Sequence, residues 1–531
     1  MTSGKSRWRA VATWLVLIGL LILGFGLRCW NWDQVFVGDQ IHFVDADCYS
    51  RMTRVERVLT APWQAIRFHD FENAPQGTVP HTTAPMDFAI AALTKVFDLF
   101  LSAFHFPLSA LSSSLDLAGA FISPLLGFLL IGFLCWWSRH QPWRLALLLV
   151  VAVSPILVHG FLLGRPDHQS LILLLVGIAL ASEISIWSSV TPRPWSLLSS
   201  ICWALALWTS LFEPLILLVA VLACRWFVLG RAAFRIRDRA ALIVFIVILA
   251  GGLFFDGWRP LPSAPEIGEF FPRWAQTIGE LAPLRFVQLF PWTGWLLPVV
   301  PILLILRFRK EKSRPALALA FLLLLTLGLS LWYARWGYFL ALVFAFSLPH
   351  ALAAIPLRPV VAILFVISLW PVASEWDRQL FPDPKRETAL AETREDATLL
   401  HQAALSLKGP EMPPRPTILA PWWLSPALSY WSGQPCVAGS SHQSLPGTVA
   451  SARFYLSSDP EVARKILHDR GVRFVVAYEP SRIVENSSQI LGIAPPQDSL
   501  AQRLSNHPSD APDWLRLTFT NALYKVYEVK E

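Results

Sequence analysis

The feature that most constrains this chain is a succession of apolar runs with almost no charge, each long enough to cross a bilayer. They fall at residues 11–29, 117–138, 145–164, 168–187, 195–212, 214–230, 240–255, 287–306, 315–334, 336–357 and 359–374. The pattern predicts a polytopic α-helical membrane protein with about eleven transmembrane helices. Composition agrees: charged residues are 15% of the 531 and hydrophobic ones 54%, whereas soluble domains carry roughly 25% charge. A soluble globular enzyme, a disordered chain and a fibre are excluded.

The orientation follows from the basic residues. A further apolar stretch, 86–104, carries Lys95 and Asp98 and reads as amphipathic. With 86–104 outside the membrane, the loops 139–144, 188–194, 225–239 and 307–314 and Arg358 share one side with Lys5, Arg7 and Arg9. That side is cytoplasmic by the positive-inside rule. The first run then reads as an uncleaved span with a cytoplasmic N-terminus. Residues 30–116, the turn 164–168, the loop 256–286 and everything after 375 face outward, to the periplasm or cell exterior. The net charge of +7 is spread over clusters between apolar runs. No single basic patch forms, so nucleic acid is not an expected partner. The six cysteines have no metal-site or disulfide spacing.

Residues 375–531 differ in kind, being polar and rich in Pro, Asp, Glu and Ser. Asp459 opens a helix that Gly471 closes, and Val472–Tyr478, Thr417–Ala420 and Leu523–Val529 read as strands. The chain therefore divides into a transmembrane part, 1–374, and a small external α/β domain, 375–531.

Five places on the outer side could carry chemistry. Asp45-Ala-Asp47 follows the first span, and two carboxylates so spaced can ligate one hard divalent cation. In Gly164-Arg-Pro-Asp167-His-Gln169, an acid and a histidine stand at a membrane surface, where ionisable groups are costly unless paired or functional. Asp167 also suits a helix N-cap. Thr277-Ile-Gly-Glu280 lies in the loop 256–286. Arg335, between aromatics, suits either an interfacial anchor or a clamp on lipid phosphate. Pro421-Trp422-Trp423-Leu-Ser425-Pro426 and Gly439-Ser-Ser-His442 belong to the external part. The shared side of the membrane connects them.

In that order the set resembles the catalytic subunit of oligosaccharyltransferases, of the GT-C class of membrane glycosyltransferases. Asp47-Cys-Tyr looks like the acidic motif of the family's first external loop. Gly164 to Gln169 looks like its second metal-binding motif, and Thr277 to Glu280 matches TIxE letter for letter. Trp422-Trp423 looks like the start of WWDYG, here continued by Leu424-Ser425-Pro426. The resemblance implies transfer of a glycan from a polyprenyl-diphosphate donor to an acceptor, a protein in the family, in the inner cell membrane. It implies Mg²⁺ or Mn²⁺ held by Asp45, Asp47 and Asp167, with Gln169 ligating through its amide oxygen. It implies catalytic roles for Asp47, Asp167 and Glu280, donor phosphate on Arg335, and acceptor contacts from Trp422 and Trp423; Ser425 and His442 are the candidates to replace the lost Asp in acceptor binding. The lost Asp of WWDYG favours a second reading, a GT-C enzyme using a polyprenyl-phosphate sugar on a lipid or envelope glycan. A transporter or flippase ranks lower, because the acids lie at one face and no repeat is visible.

Overall fold

The structure, a computed structural model, describes residues 2–61, 64–80, 84–103, 113–188, 193–229, 239–257, 265–409 and 415–530. Arg231, Arg235 and Arg237 of the basic loop, and residues 258–264 of the outer loop, lie outside them.

Among the described residues, six helical stretches are long and apolar enough to cross a membrane: Thr13–Val35, Ser114–Trp137, His168–Ser188, Arg239–Asp256, Arg314–Trp332 and Arg358–Leu380. Several of them expose large apolar side chains. Arg239–Asp256 presents Leu242, Ile243, Ile246, Val247, Leu253 and Phe254, as lipid contact requires. Gly337–Leu352, by contrast, is buried almost all round.

The apolar runs do not map one to one onto straight helices. The run 145–164 divides into Arg144–Val153 and Pro155–Gly160. Pro155 has no N–H for the carbonyl of Val151, so the helix breaks there. Arg28, with no exposed surface, satisfies the released groups. It donates to Val151 O at 3.0 Å, Ala152 O at 3.3 Å and Gly24 O at 2.6 Å. The run 287–306 is likewise interrupted, by a bend at Gly294, and resumes as Val299–Glu311.

Ala84–Ala103 is a helix whose Asp87 is buried, receiving Arg51 at 2.6 Å and Arg54 at 3.1 Å from the helix Ala46–Thr60. The charges in this region thus serve helix packing.

The C-terminal part has its own core around Ile418, Leu428, Tyr455, Val475 and Tyr527. Its four-stranded sheet runs Thr417–Leu419, Val472–Ala477, Lys525–Val529, Leu515–Thr520, the first pair parallel and the others antiparallel. Asp459 caps the helix Pro460–Asp469, and Gly471 leaves it at φ +60°. The helix Trp370–Leu380 runs through the expected boundary at residue 375. All six cysteines are free.

The segment 64–80, the expected first outer loop, is clasped by this C-terminal part. Cys436 N donates to Phe71 O at 2.9 Å, and Ala74 N donates to Cys436 O at 3.0 Å. Arg470 donates to Asn73 Oδ1 at 3.0 Å and to Gln76 Oε1 at 2.6 Å. Buried Glu72 accepts hydroxyls from Ser50 and, at 2.8 Å, from Ser441.

Candidate active site

Asp45 caps the helix Ala46–Thr60, its Oδ1 accepting from Cys48 N at 3.0 Å. The cap places Asp47 in the first turn, where the helix end favours an anion. Asp167 comes from another turn. Gly164 has φ +71°, and a Cβ there would lie 2.7 Å from Val35 and 3.3 Å from His42 O, so the turn needs glycine. Val44 N donates to Gly164 O at 2.9 Å, which joins the two acidic segments. Glu280 sits in the 3₁₀ turn Gly279–Leu281 and Arg335 in Ala334–Trp336. The bond Ala334 N to Ala282 O, 2.9 Å, holds these two together.

Arg165 lies buried at the centre. Its Nη2 donates to Glu280 at 2.5 Å, its Nη1 to Tyr338 Oη at 2.8 Å, and its Nε is 3.5 Å from Asp45. Asp167 is 2.5 Å from His168 Nδ1 and 4.0 Å from Arg51. Burial alone would raise the Asp167 carboxyl, but His168, Arg165 and Arg51 outweigh it and hold the group well below the usual range. Burial likewise opposes ionisation of Glu280, and Arg165 and Arg335 overcome it, lowering its pKa.

Asp47 behaves differently. Protein surrounds it, yet its side chain is open to solvent, as in a cleft. Among the described residues it alone of the four acids makes no ion pair. Burial by the surrounding protein first, then the like charges of Asp45 and Asp167, push it up to about 7. Ser440 of the C-terminal part faces it.

Arg335 pairs with Glu213, which is buried, and donates to His168 Nε2 at 3.1 Å. With the Gln169 amide oriented to suit its neighbours, its oxygen accepts from Arg335 Nε and Nη2, both at 2.7 Å. Gln169 is therefore engaged by Arg335, away from the carboxylates. His442 stands edge-on to Phe271 and near Arg335; burial, then Arg335, pushes it down to about 4.

In the tryptophan segment Trp422 and Trp423 are half-buried, and Leu424 and Ser425 are buried. Trp422 donates to Asn486 Oδ1 at 3.0 Å and packs against Trp274 and Trp423. Trp423 lies under Arg482. Ser425 has no exposed surface and bonds Ala420 O and Pro421 O, at 3.2 and 3.0 Å. It serves the start of the helix Ser425–Ser432, so it has no surface with which to meet an acceptor. Leu424, in the place of the motif's Asp, packs into the same core.

Sequence reasoning missed Glu213, the buried partner of Arg335. Its signal was an acid between two apolar runs at an outer turn. It also left Arg165 and Glu72 without roles, because only the distant segments they join give them one.

The acids suit a hard cation in charge, since like carboxylates crowd Asp47 with no ion-pair partner for it. Asp45 is engaged by its cap and Arg165, and Asp167 by His168 and Arg51. Among the described residues, no three His, Cys, Asp or Glu side chains converge to hold a metal ion as they stand.

With this geometry in view, the solved structures are informative. The apo oligosaccharyltransferase AglB of Archaeoglobus fulgidus superposes with a TM-score of 0.68 at 13% identity, over 98% of this chain and 80% of that one. The same enzyme tethered to a peptide containing an NVT sequon gives 0.68 at 14%, over 95% and 78%. ArnT of Cupriavidus metallidurans, bound to undecaprenyl phosphate, gives 0.53 at 14%, over 98% of each chain. The fold is that of the GT-C membrane glycosyltransferases. No protein-family profile and no curated protein sequence matches the chain.

Arg335 yields a separable prediction. Arg335→Ala leaves Glu213 charged and buried without its partner, and should cost about 3 kcal/mol of stability. On the reading of Arg335 as a clamp for lipid phosphate, it should also weaken binding of undecaprenyl phosphate roughly tenfold. Adding Glu213→Gln should restore the melting temperature and leave binding weak. If the double variant regained full binding, Arg335 would be a structural anchor only.

Proposed function

We propose that the chain is a membrane glycosyltransferase, built like an oligosaccharyltransferase, that moves a glycan from a polyprenyl-linked donor to an acceptor at the outer face of the inner cell membrane. The observation that carries this is the cleft itself. Asp47, Asp167, Glu280 and Arg335 come from four distant segments and meet beside Ser440 and His442. About eleven spans, a cytoplasmic N-terminus and an outward C-terminal part would put that cleft within reach of a donor headgroup.

A glycosyl phosphate or diphosphate is already activated, so positioning and charge stabilisation are the work required. Arg335 would hold the donor phosphate, oriented by Glu213 and Gln169. Asp47 would take the acceptor proton. Arg165 would hold Glu280 and Asp45 in place. Asp47 and Asp167 would hold Mg²⁺ or Mn²⁺, which would supply charge neutralisation of the departing phosphate. The acceptor would be a protein or an envelope glycan. The buried Leu424, in the place of the motif's Asp, supports the second of these.

Cells lacking the protein should accumulate a polyprenyl-linked sugar and lose that sugar from the envelope. Lipid extracts with no such accumulation, together with an unchanged envelope, would remove the proposal.

The cation has a test independent of activity. The raised Asp47 carboxyl means that the folded state binds its proton more tightly than the unfolded chain does. Stability should therefore fall as pH rises from about 4 to 7, and stay low above that. Solvent screening of an exposed group keeps the effect modest. In EDTA, the melting temperature should drop between pH 5 and 8, and millimolar Mg²⁺ or Mn²⁺ should recover it. A pH-independent melt that ignores both ions would argue against a site at Asp47.

A further inference from the structure

The helix break at Pro155 reaches into the cleft. The short helix Pro155–Gly160 starts afresh there, and most of its surface is packed. Leu157 joins the main core, as does Phe161 just beyond, while Val158 and Leu162 meet Val372 and Trp376. Gly160 brings the segment close to the helix Gly337–Leu352, since a Cβ on it would stand 3.2 Å from the Tyr338 ring. His159 takes the side that remains. It is exposed, and its ring stacks on that of Tyr338 with centroids 6.0 Å apart and planes 11° apart.

His159 Nδ1 lies 2.8 Å from Arg165 Nη1 and 2.7 Å from Tyr338 Oη. A guanidinium only donates, so Nδ1 accepts and the neutral ring carries its proton on Nε2. No other described residue hydrogen-bonds the His159 ring. The imidazole is thus held in one orientation with an N–H left over on its far edge from Arg165.

The surroundings limit what that N–H can take. With Nδ1 occupied, the ring has no acceptor left, so the ligand atom must accept. The nearest charge is the Arg165 guanidinium, which favours an anion. Glu280 receives Arg165 at 2.5 Å and faces both Arg335 and His159, so the two sit around one carboxylate. Depth narrows the choice further. His159 stands about one and a half helical turns inside the outer end of the apolar run 145–164. An N–H without a partner is costly at such depth, and a water-soluble anion does not reach it. The headgroup of an amphiphile does.

We infer that His159 is a second phosphate-binding residue, its Nε2–H donating to an oxygen of the lipid-linked phosphate that Arg335 clamps. This rests on the glycosyltransferase reading above. His159 keeps its proton throughout. Arg335 supplies charge, and His159 fixes how the phosphate is turned. The phosphate of a bilayer phospholipid has the same chemistry, and the test separates the two sources.

The test uses the purified full chain in phosphatidylcholine nanodiscs, with undecaprenyl phosphate and phosphatidate as probes. His159→Asn keeps an amide oxygen near the place of Nδ1 and leaves nothing at Nε2. His159→Gln puts an amide N–H near the place of Nε2. The expected result is that His159→Asn melts like the wild type and binds undecaprenyl phosphate roughly tenfold more weakly, the loss of one hydrogen bond to a charged group. His159→Gln should recover most of that binding, and phosphatidate affinity should not change in either. Equal binding by the wild type and His159→Asn overturns the inference, as does a normally melting His159→Gln that stays as weak as His159→Asn. A loss that extends to phosphatidate, or is confined to it, assigns the residue to a bilayer phospholipid and also overturns the inference. In each of these cases weaker binding by Arg335→Ala leaves the glycosyltransferase reading standing. A wild-type protein that does not bind undecaprenyl phosphate overturns both.

Discussion

Replacing Asp47 by Asn should abolish sugar transfer, by roughly 10³-fold or more, the range for a lost proton-transfer group. The fold should be unaffected. Asp47 is exposed and makes no ion pair among the described residues, so Asn leaves no buried charge without a partner. The helix start keeps its cap, because Asp45 provides it. One negative charge also leaves the company of Asp45 and Asp167. The purified variant should therefore melt at or slightly above the wild-type temperature while making no product. The pairing of an intact melt with lost product is the result to look for. Full transfer by Asp47→Asn would mean that another group takes the proton and that the cleft has been misread.

The second large effect should come from a residue with no chemistry of its own. Gly447 lies in the helix Leu445–Leu456, and a Cβ there would stand 1.8 Å from the carbonyl oxygen of Val437. A side chain could rotate away from such a contact, but a backbone oxygen cannot. Val437 is itself held by its N–H on Ile418 O. Gly447→Ala must therefore push segment 436–442 off the helix, and that segment carries Ser440 and His442. The expected cost is about 3 kcal/mol, the upper range for overpacking, with transfer lost. Gly279→Ala makes the control. It lies next to Glu280, but its new Cβ would meet nothing within 4 Å. It should melt normally and transfer normally. Equal behaviour of the two variants would refute the argument.

Much of this was legible in the sequence, and the reason is specific. Long apolar runs are a one-dimensional property, as is the sidedness of Lys and Arg. Together they put Asp47, Asp167, Glu280 and Arg335 at one face before any coordinates were needed. The strand at Val472–Ala477 and the capped helix after Asp459 were also local signals. What could not be read depends on pairs far apart in the chain. Glu213 gains its meaning only from Arg335, and Arg165 only from Glu280, 115 residues on. Trp422 and Trp423 look equally suited to a groove and to a core, and their contacts with Trp274 and Arg482 could not be read from the sequence. The break at Pro155 was hidden because Arg28 supplies what the lost helix bonds would have.

The clasp between segment 64–80 and the C-terminal part has a consequence for how the protein comes into being. Asn73 waits for Arg470, 397 residues further along. At about 5–20 residues per second of synthesis, that is roughly 20 to 80 s. Throughout that interval Glu72 lacks Ser441 and Phe71 lacks Cys436. The apolar helices can form in order as they are made, but the clasp cannot close until segment 436–470 has been synthesised. A chain that stops short of residue 436 would thus keep its apolar helices and lack the partners of Phe71 and Glu72.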